Sequence, residues 1–194
     1  MKIEHCKKEI KDYYINCKEE EVFNKLLYAR EERADLIRNL SEKYKKTVIC
    51  IRANYPGLYK INEESIKIVA TLLEEAKEVF KGSITYDLYN ITYEGPIAIL
   101  IIDKTSKEVK RGAVKIEELH PLGRLADIDV YDELGAGISR EEIQVSRRRC
   151  FLCENEAHSC VRSKAHSLEE IKDYINKIVE GYGKEWINII FDLS

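Results

Sequence analysis

His120–Asp132, HPLGRLADIDVYD, reads as a turn that releases directly into a short strand, and the rest of the chain is arranged around it. Side chains alternate along a strand, so Asp127 and Asp129 share one face, roughly 6.6 Å apart along the backbone, while Ile128 and Val130 point into the core. Two neighbouring carboxylates on a rigid element offer hard oxygen ligands to Mg²⁺, an ion commonly shared between one or two protein carboxylates and substrate phosphates. With Gly123 and Arg124 just upstream, this D-x-D points to phosphoryl chemistry. The plain alternative is a solvated strand end carrying two ordinary acids.

The segment before it, Ser106 to Leu119, has the spacing of a helix with Val109, Ala113 and Ile116 inward. Lys107, Lys110, Arg111 and Lys115 fall on another face, so Lys110 and Arg111 are phosphate candidates set against the commoner meaning of a charge run, a solvated surface. Upstream, Ser83 to Thr92 alternates and Ile97 to Ile102 is an unbroken apolar run, predicting a half-exposed and a central strand joined through Glu94-Gly95-Pro96. Ile66, Val69, Leu72, Leu73, Ala76 and Phe80 recur at helical spacing after a cap at Asn62. Before that helix, the β-rich Lys46 to Ala53 feeds a Pro-Gly loop ending in Lys60.

The first long helix is expected over Glu19 to Tyr44, rich in helix formers. Leu26, Arg30, Arg33 and Ile37 follow steps of four, three and four, which puts both arginines on the half-buried line. Such arginines want an anion, and a glutamate on a neighbouring element is the commoner partner than a ligand. Downstream, Ser167-Leu168-Glu169-Glu170 is a capping box for a helix with Ile171, Ile175 and Ile178 inward, and Trp186 to Leu193 reads as a closing strand.

With 194 residues, 44% hydrophobic and 35% charged, the chain is expected to form one ordered domain over residues 1–194. A formal net charge of −3 argues against general affinity for nucleic acid or acidic membranes and leaves local basic clusters to handle an anionic ligand. The opening MKIEHCKKEIKDYY lacks the apolar run of a signal peptide, and no stretch reaches bilayer length, so the cytoplasm is the expected compartment. Disulfides are not expected there.

Three of the six cysteines cluster within an Arg/Cys-rich loop at 147–166. Cys150-x2-Cys153-x6-Cys160-x5-His166 offers three thiolates and an imidazole, with His158 a rival fourth ligand, a set compatible with tetrahedral Zn²⁺ in a structural role. Reduced cysteines packed under a compact loop are the alternative. Around them, Arg147, Arg148, Arg149 and Arg162 are planar, permanently charged and suited to bidentate phosphate contacts.

HPLGRLADIDV, then ISR, then RRRCFLCENEAHSCVRSKAH closely resemble the signature segments of the citrate lyase holo-acyl-carrier-protein synthases, the phosphoribosyl-dephospho-CoA transferases. LLYAREERADL and RANYPGLYK resemble that family's N-terminal helix motif and its Pro-Gly loop with a following lysine. One departure is Ala126, where the family usually carries an aromatic before the D-x-D.

The resemblance implies a nucleotidyltransferase that moves the 2′-(5″-triphosphoribosyl)-3′-dephospho-CoA group onto a serine of the apo acyl-carrier subunit of citrate lyase, with release of pyrophosphate. It further implies that Asp127 and Asp129 hold Mg²⁺ and that Arg124 binds the polyphosphate. Arg148, Arg149 and Arg162 would assist, with Lys60, Arg30 and Arg33 more distant; Lys110 stays a candidate from its helix face alone. The equivalent transferase of malonate decarboxylase, an inactive relative, and a zinc-stabilised module binding RNA or protein through the Arg-rich loop are the competing readings. The expected fold is α+β, a mixed or mostly antiparallel sheet with packed helices, the nucleotidyltransferase-like metal strand near its centre and the Cys/His loop near the C-terminus.

Overall fold

The computed structural model describes residues 13–182, and the strand expected over Trp186 to Leu193 lies outside them. Five α-helices and four strands are found among the described residues. In chain order they are α1 (Glu19–Tyr44), β1 (Thr47–Ala53), α2 (Glu63–Val79), β2 (Ile84–Thr92), β3 (Gly95–Ile102), α3 (Ser106–Leu119), β4 (Ala126–Tyr131), α4 (Ala157–Ser163) and α5 (Leu168–Gly181). The strands form one antiparallel sheet of order β2-β3-β1-β4. An α+β fold with an antiparallel sheet is the expected class; the position of β4 is not, because it is an edge strand rather than a central one.

Helix boundaries follow local chemistry. Asn62, Thr105 and Ser167 each accept from the backbone N–H three residues on, while Ser65, Glu108 and Glu170 return the bond, closing capping boxes at α2, α3 and α5. α1 ends where Lys45 enters the left-handed region at φ 51°, which turns the chain back into β1. α1 therefore runs antiparallel to β1 and brings its arginines over the exit end of that strand.

Burial explains the two layers of helices. β3 is buried along its whole length, as its unbroken apolar run requires for a strand covered on both faces. On one face Ile49, Ile51, Leu100, Ile102, Ile128 and Val130 join apolar residues of α2, α3 and α5 in the main core. On the other, Val48, Cys50, Ile99 and Ile101 meet Ile37 and Leu40 of α1. Ala126 belongs to the main core and is fully buried, so the aromatic it replaces would be a packing residue and could not stack on a ligand from the acid-bearing face.

An exposed edge strand is a liability unless its backbone groups are covered. Here α3 covers them with side chains: the Ile128 N–H donates to Glu117 at 3.0 Å, and the Lys110 ammonium lies 3.5 Å from the Ile128 carbonyl. Lys110, expected on a solvated basic face, is instead 7% exposed. Burial lowers its pKa, an effect that Glu117 opposes. Its stem packs under the helix because the edge carbonyl and Glu117 give the charged end partners there.

Candidate active site

β4 shows the burial alternation read from its sequence, with Ala126, Ile128 and Val130 buried and Asp127, Asp129 and Tyr131 half-buried. The two acids thus share the α1-facing side of the sheet, their side chains 36% and 40% exposed. Register places Arg52 of β1 directly opposite Asp127. Its guanidinium donates to Asp129 at 2.7 Å and lies 3.9 Å from Asp127, so one nitrogen sees both carboxylates. Asp127 is also held by Arg148 at 2.5 Å.

Arg52 and its anchor, Glu94, were not among the candidates read from sequence. Glu94 sits in the turn between β2 and β3, at the same end of the sheet, with its side chain only 4% exposed. It accepts two bonds from Arg33, at 2.7 and 3.2 Å, and one from Arg52 at 3.0 Å, while Arg30 lies 3.7 Å away. Burial is the largest influence on Arg52 and works against its charge, but Asp129, Cys50 and Asp127 together outweigh it and raise the pKa above the ordinary arginine value. The same opposition, with Glu94 as the partner, raises Arg33. Both guanidinium groups are fixed positive charges.

Arg33 therefore meets the carboxylate that its half-buried spacing called for, and that carboxylate belongs to the protein; Arg30, expected on the same line, is instead exposed and lies at the edge of the cluster. Lys60 reaches the same place from the Pro-Gly loop, its ammonium bonded to the Tyr55 carbonyl. Burial, with Arg30 beside it, lowers its pKa, while Glu94 and Asp127 oppose the fall.

A second buried carboxylate organises the far side. Glu117, 4% exposed at its side chain, takes Arg140, Arg148 and the Ile128 N–H. Arg148 consequently bridges Glu117 and Asp127. Arg124 spends one nitrogen on the backbone carbonyls of Arg149 and Cys150, at 3.1 and 2.8 Å, and so ties the Cys-rich segment to the turn before β4. Arg149 pairs with Glu154 at 3.0 Å, Arg147 with Glu141 at 2.9 Å, and Arg162 and Arg111 are exposed on α4 and α3. His120 is held in its turn: Nδ1 accepts from the Leu122 N–H at 3.1 Å and Nε2 lies 3.0 Å from the Tyr182 hydroxyl.

Beside the acids runs a cleft of about 620 Å³, walled on one side by Tyr55, Pro56 and Gly57 and on the other by Phe151, Leu152 and Val161. Lys60, Arg148 and Arg149 also line it, which joins its rim to the acid pair. Its floor includes Cys150, Cys160 and His166, and the ligand atoms of these three and Cys153 all lie within 4.8 Å of one another. This cluster can hold a metal ion; His158 is not part of it.

An acid pair on one strand face, guanidinium groups from β1 and the Cys-rich segment, and an adjoining apolar cleft are the equipment of a group-transfer enzyme acting on a phosphate-bearing substrate. Residues 21–182 match the family model described as apo-citrate lyase phosphoribosyl-dephospho-CoA transferase. The enzyme of that name from Citrobacter koseri is 34% identical over 155 residues, covering 75% of this chain and 81% of its own. Sequences given the same role in Vibrio cholerae and Streptococcus pyogenes are 32% and 30% identical over 164 and 162 residues; the matches cover 82% and 81% of this chain, and 92% and 84% of theirs. The chain belongs to the apo-citrate lyase phosphoribosyl-dephospho-CoA transferase family. Among the described residues no helix is long and apolar enough to cross a membrane.

Proposed function

We infer that this protein acts in the cytoplasm, transferring the 2′-(5″-triphosphoribosyl)-3′-dephospho-CoA group to a serine of the apo acyl-carrier subunit of citrate lyase, with release of pyrophosphate. Beyond family membership, one observation carries the reading: Asp127 and Asp129 lie together on one face, with Arg52 and Arg148 paired to them and the rim of an apolar cleft alongside. A binding module that grips phosphate through arginines has no use for an acid pair among them.

In the reaction the carrier serine oxygen bonds to the α-phosphorus, the bond from that phosphorus to the bridging oxygen breaks, and pyrophosphate departs with the electron pair. The serine proton leaves to solvent or substrate oxygen. Negative charge gathers on the α-phosphoryl oxygens and on the leaving group, and stabilising it is where catalysis is gained. Asp127 and Asp129 would hold Mg²⁺, which when bound would supply positive charge against that build-up. Arg148 and Arg149 line the cleft and orient the polyphosphate, Arg124 holds their backbone in place, and Lys60 faces the same rim. Arg52, anchored by Glu94, keeps the acids aligned. The Cys/His cluster is read as a Zn²⁺ site with no chemical step of its own.

Incubation with apo carrier, the triphosphoribosyl precursor and Mg²⁺, followed by intact-mass measurement of the carrier, tests the inference. Asp127→Asn and Asp129→Asn should each slow modification by at least about a hundredfold, on the scale of losing one stabilising contact to the developing charge. Folding should be unchanged, because both side chains are partly solvated. Carrier modified at the wild-type rate by either variant would sink the assignment. Preference for the malonate decarboxylase carrier would redirect it.

A further inference from the structure

We propose that Cys150, Cys153, Cys160 and His166 form a structural zinc centre whose task is to set the polyphosphate-binding arginines, so that zinc occupancy controls affinity for the phosphate end of the substrate. The proposal rests on the transferase reading only for the identity of that substrate; the metal centre stands on its own geometry.

The donors suit the ion. Zn²⁺ takes thiolates at about 2.3 Å and imidazole at about 2.0 Å in a tetrahedron, which separates two sulfurs by about 3.8 Å and sulfur from nitrogen by about 3.5 Å. Cys150 Sγ and His166 Nε2 are 3.4 Å apart, Cys153 Sγ and Cys160 Sγ 3.4 Å, and all four atoms fall within 4.8 Å of one another. Three soft thiolates with an imidazole select zinc over Mg²⁺ or Ca²⁺, which prefer oxygen. Four protein ligands leave no open coordination position, the mark of a structural rather than a catalytic site.

The backbone is also arranged for a thiolate. The Leu152 N–H donates to Cys150 Sγ at 3.4 Å, and a backbone bond to a ligand sulfur orients it and stabilises its charged form. The Cys150 N–H donates to the Asn155 carbonyl at 2.8 Å and the Ala157 N–H to the Arg148 carbonyl at 3.0 Å, closing a narrow knuckle that carries two of the ligands. The third sits in α4, and the fourth follows that helix. Both α4 and the knuckle are too short to be stable by propensity alone.

Arg148 and Arg149 stand at the base of this knuckle. The backbones of Arg149 and Glu156 form an isolated antiparallel bridge across it, the Arg148 side chain reaches Asp127 and Glu117, and Arg124 clamps the Arg149 and Cys150 carbonyls. A crosslink through the metal therefore fixes the backbone from which both arginines reach the cleft.

Metal analysis of the purified full chain should give one zinc per chain. Replacement by Co²⁺ should produce the visible bands of tetrahedral cobalt with thiolate charge transfer. Cys153→Ser should lower zinc affinity while Ser159→Ala leaves it unchanged. Pyrophosphate titrated calorimetrically, in the same excess of Mg²⁺ and with chelator removed, into the zinc-loaded and the zinc-stripped protein should bind about tenfold more weakly to the latter, as expected for displacing one or two charged donors. Absence of bound zinc together with a featureless cobalt spectrum would overturn the proposal, and so would pyrophosphate affinity that ignores zinc removal. A Cys153–Cys160 disulfide in protein purified under reducing conditions, seen by mass, would likewise overturn it. Because wild-type protein supplies the cobalt and pyrophosphate readouts, a Cys153→Ser variant that fails to fold does not stall the test. Zinc bound to a chain that modifies no carrier would leave the centre standing and remove the transferase reading; carrier modified at an undiminished rate by a chain that binds no zinc at all would do the reverse.

Discussion

Replacing Glu94 by Gln removes the charge that gathers Arg33 and Arg52 while keeping one acceptor of the same shape. In the wild type Glu94 accepts three charged bonds at 2.7, 3.2 and 3.0 Å from groups whose side chains are 14% and 22% exposed, and is itself 4% exposed. Breaking a buried pair by removing one partner costs about 3–5 kcal/mol, because the remaining charge is left in low dielectric. Arg52 retains Asp129 and the amide oxygen still accepts one bond, so the lower end, about 3 kcal/mol, is expected. For a chain of this size that is a fall of about 6–12 °C in Tm, read by calorimetry. Since Arg52 aligns Asp127 and Asp129, carrier modification should also slow in conditions where the variant is fully folded. A double-mutant cycle with Arg33→Met should show coupling of about 2 kcal/mol. A destabilisation below about 1 kcal/mol, with unchanged transfer, would show that water already satisfies these groups and that Glu94 anchors nothing.

Two further outcomes follow from the same geometry. A Cβ at Gly123 would lie 2.1 Å from the Ile116 carbonyl and 2.8 Å from Glu117 Cα, contacts with backbone that cannot swing away; Gly123→Ala should cost about 3 kcal/mol in denaturant unfolding, and a neutral result would refute the tight turn. Burial holds His120 below the ordinary histidine pKa of 6.5, with Glu75 opposing, so the folded state favours the neutral ring. Its contribution to stability is complete above about 6.5 and is lost as pH falls through the depressed folded value, where the unfolded chain binds the proton first. Stability measured from neutral pH down to acid should therefore slope less in His120→Gln, and identical slopes would reject the account.

Much of this was legible because it is local. The alternation of Asp127, Ile128, Asp129 and Val130, the capping boxes, the unbroken run of β3 and the Cys/His spacing each express a backbone rule within a few residues. The lone Arg52 at the end of TVICIRA and Glu94 in a turn gave no comparable sign, since their meaning comes from pairing across β1, β2–β3 and α1. The spacing of Arg33 did announce a missing anion without saying whose it was. Lys110 misled for a related reason: a helix face rich in lysine looks solvated until a strand edge is laid against it. The edge position of β4 was likewise hidden, because a buried alternating strand reads the same whether it has one neighbour or two when a helix seals its other side.

The ion pairs that join Asp127 to Arg148 and Asp129 to Arg52 make the site its own counter-ion bath. Arg52 stays on Asp129 and keeps the acids aligned, so a cation arriving alone competes with Arg148 for Asp127, and a polyphosphate arriving alone competes with Asp127 for Arg148. Arriving together, each takes the partner the other has released, so the two ligands should load as a set, with neither prized by the enzyme until both are at hand.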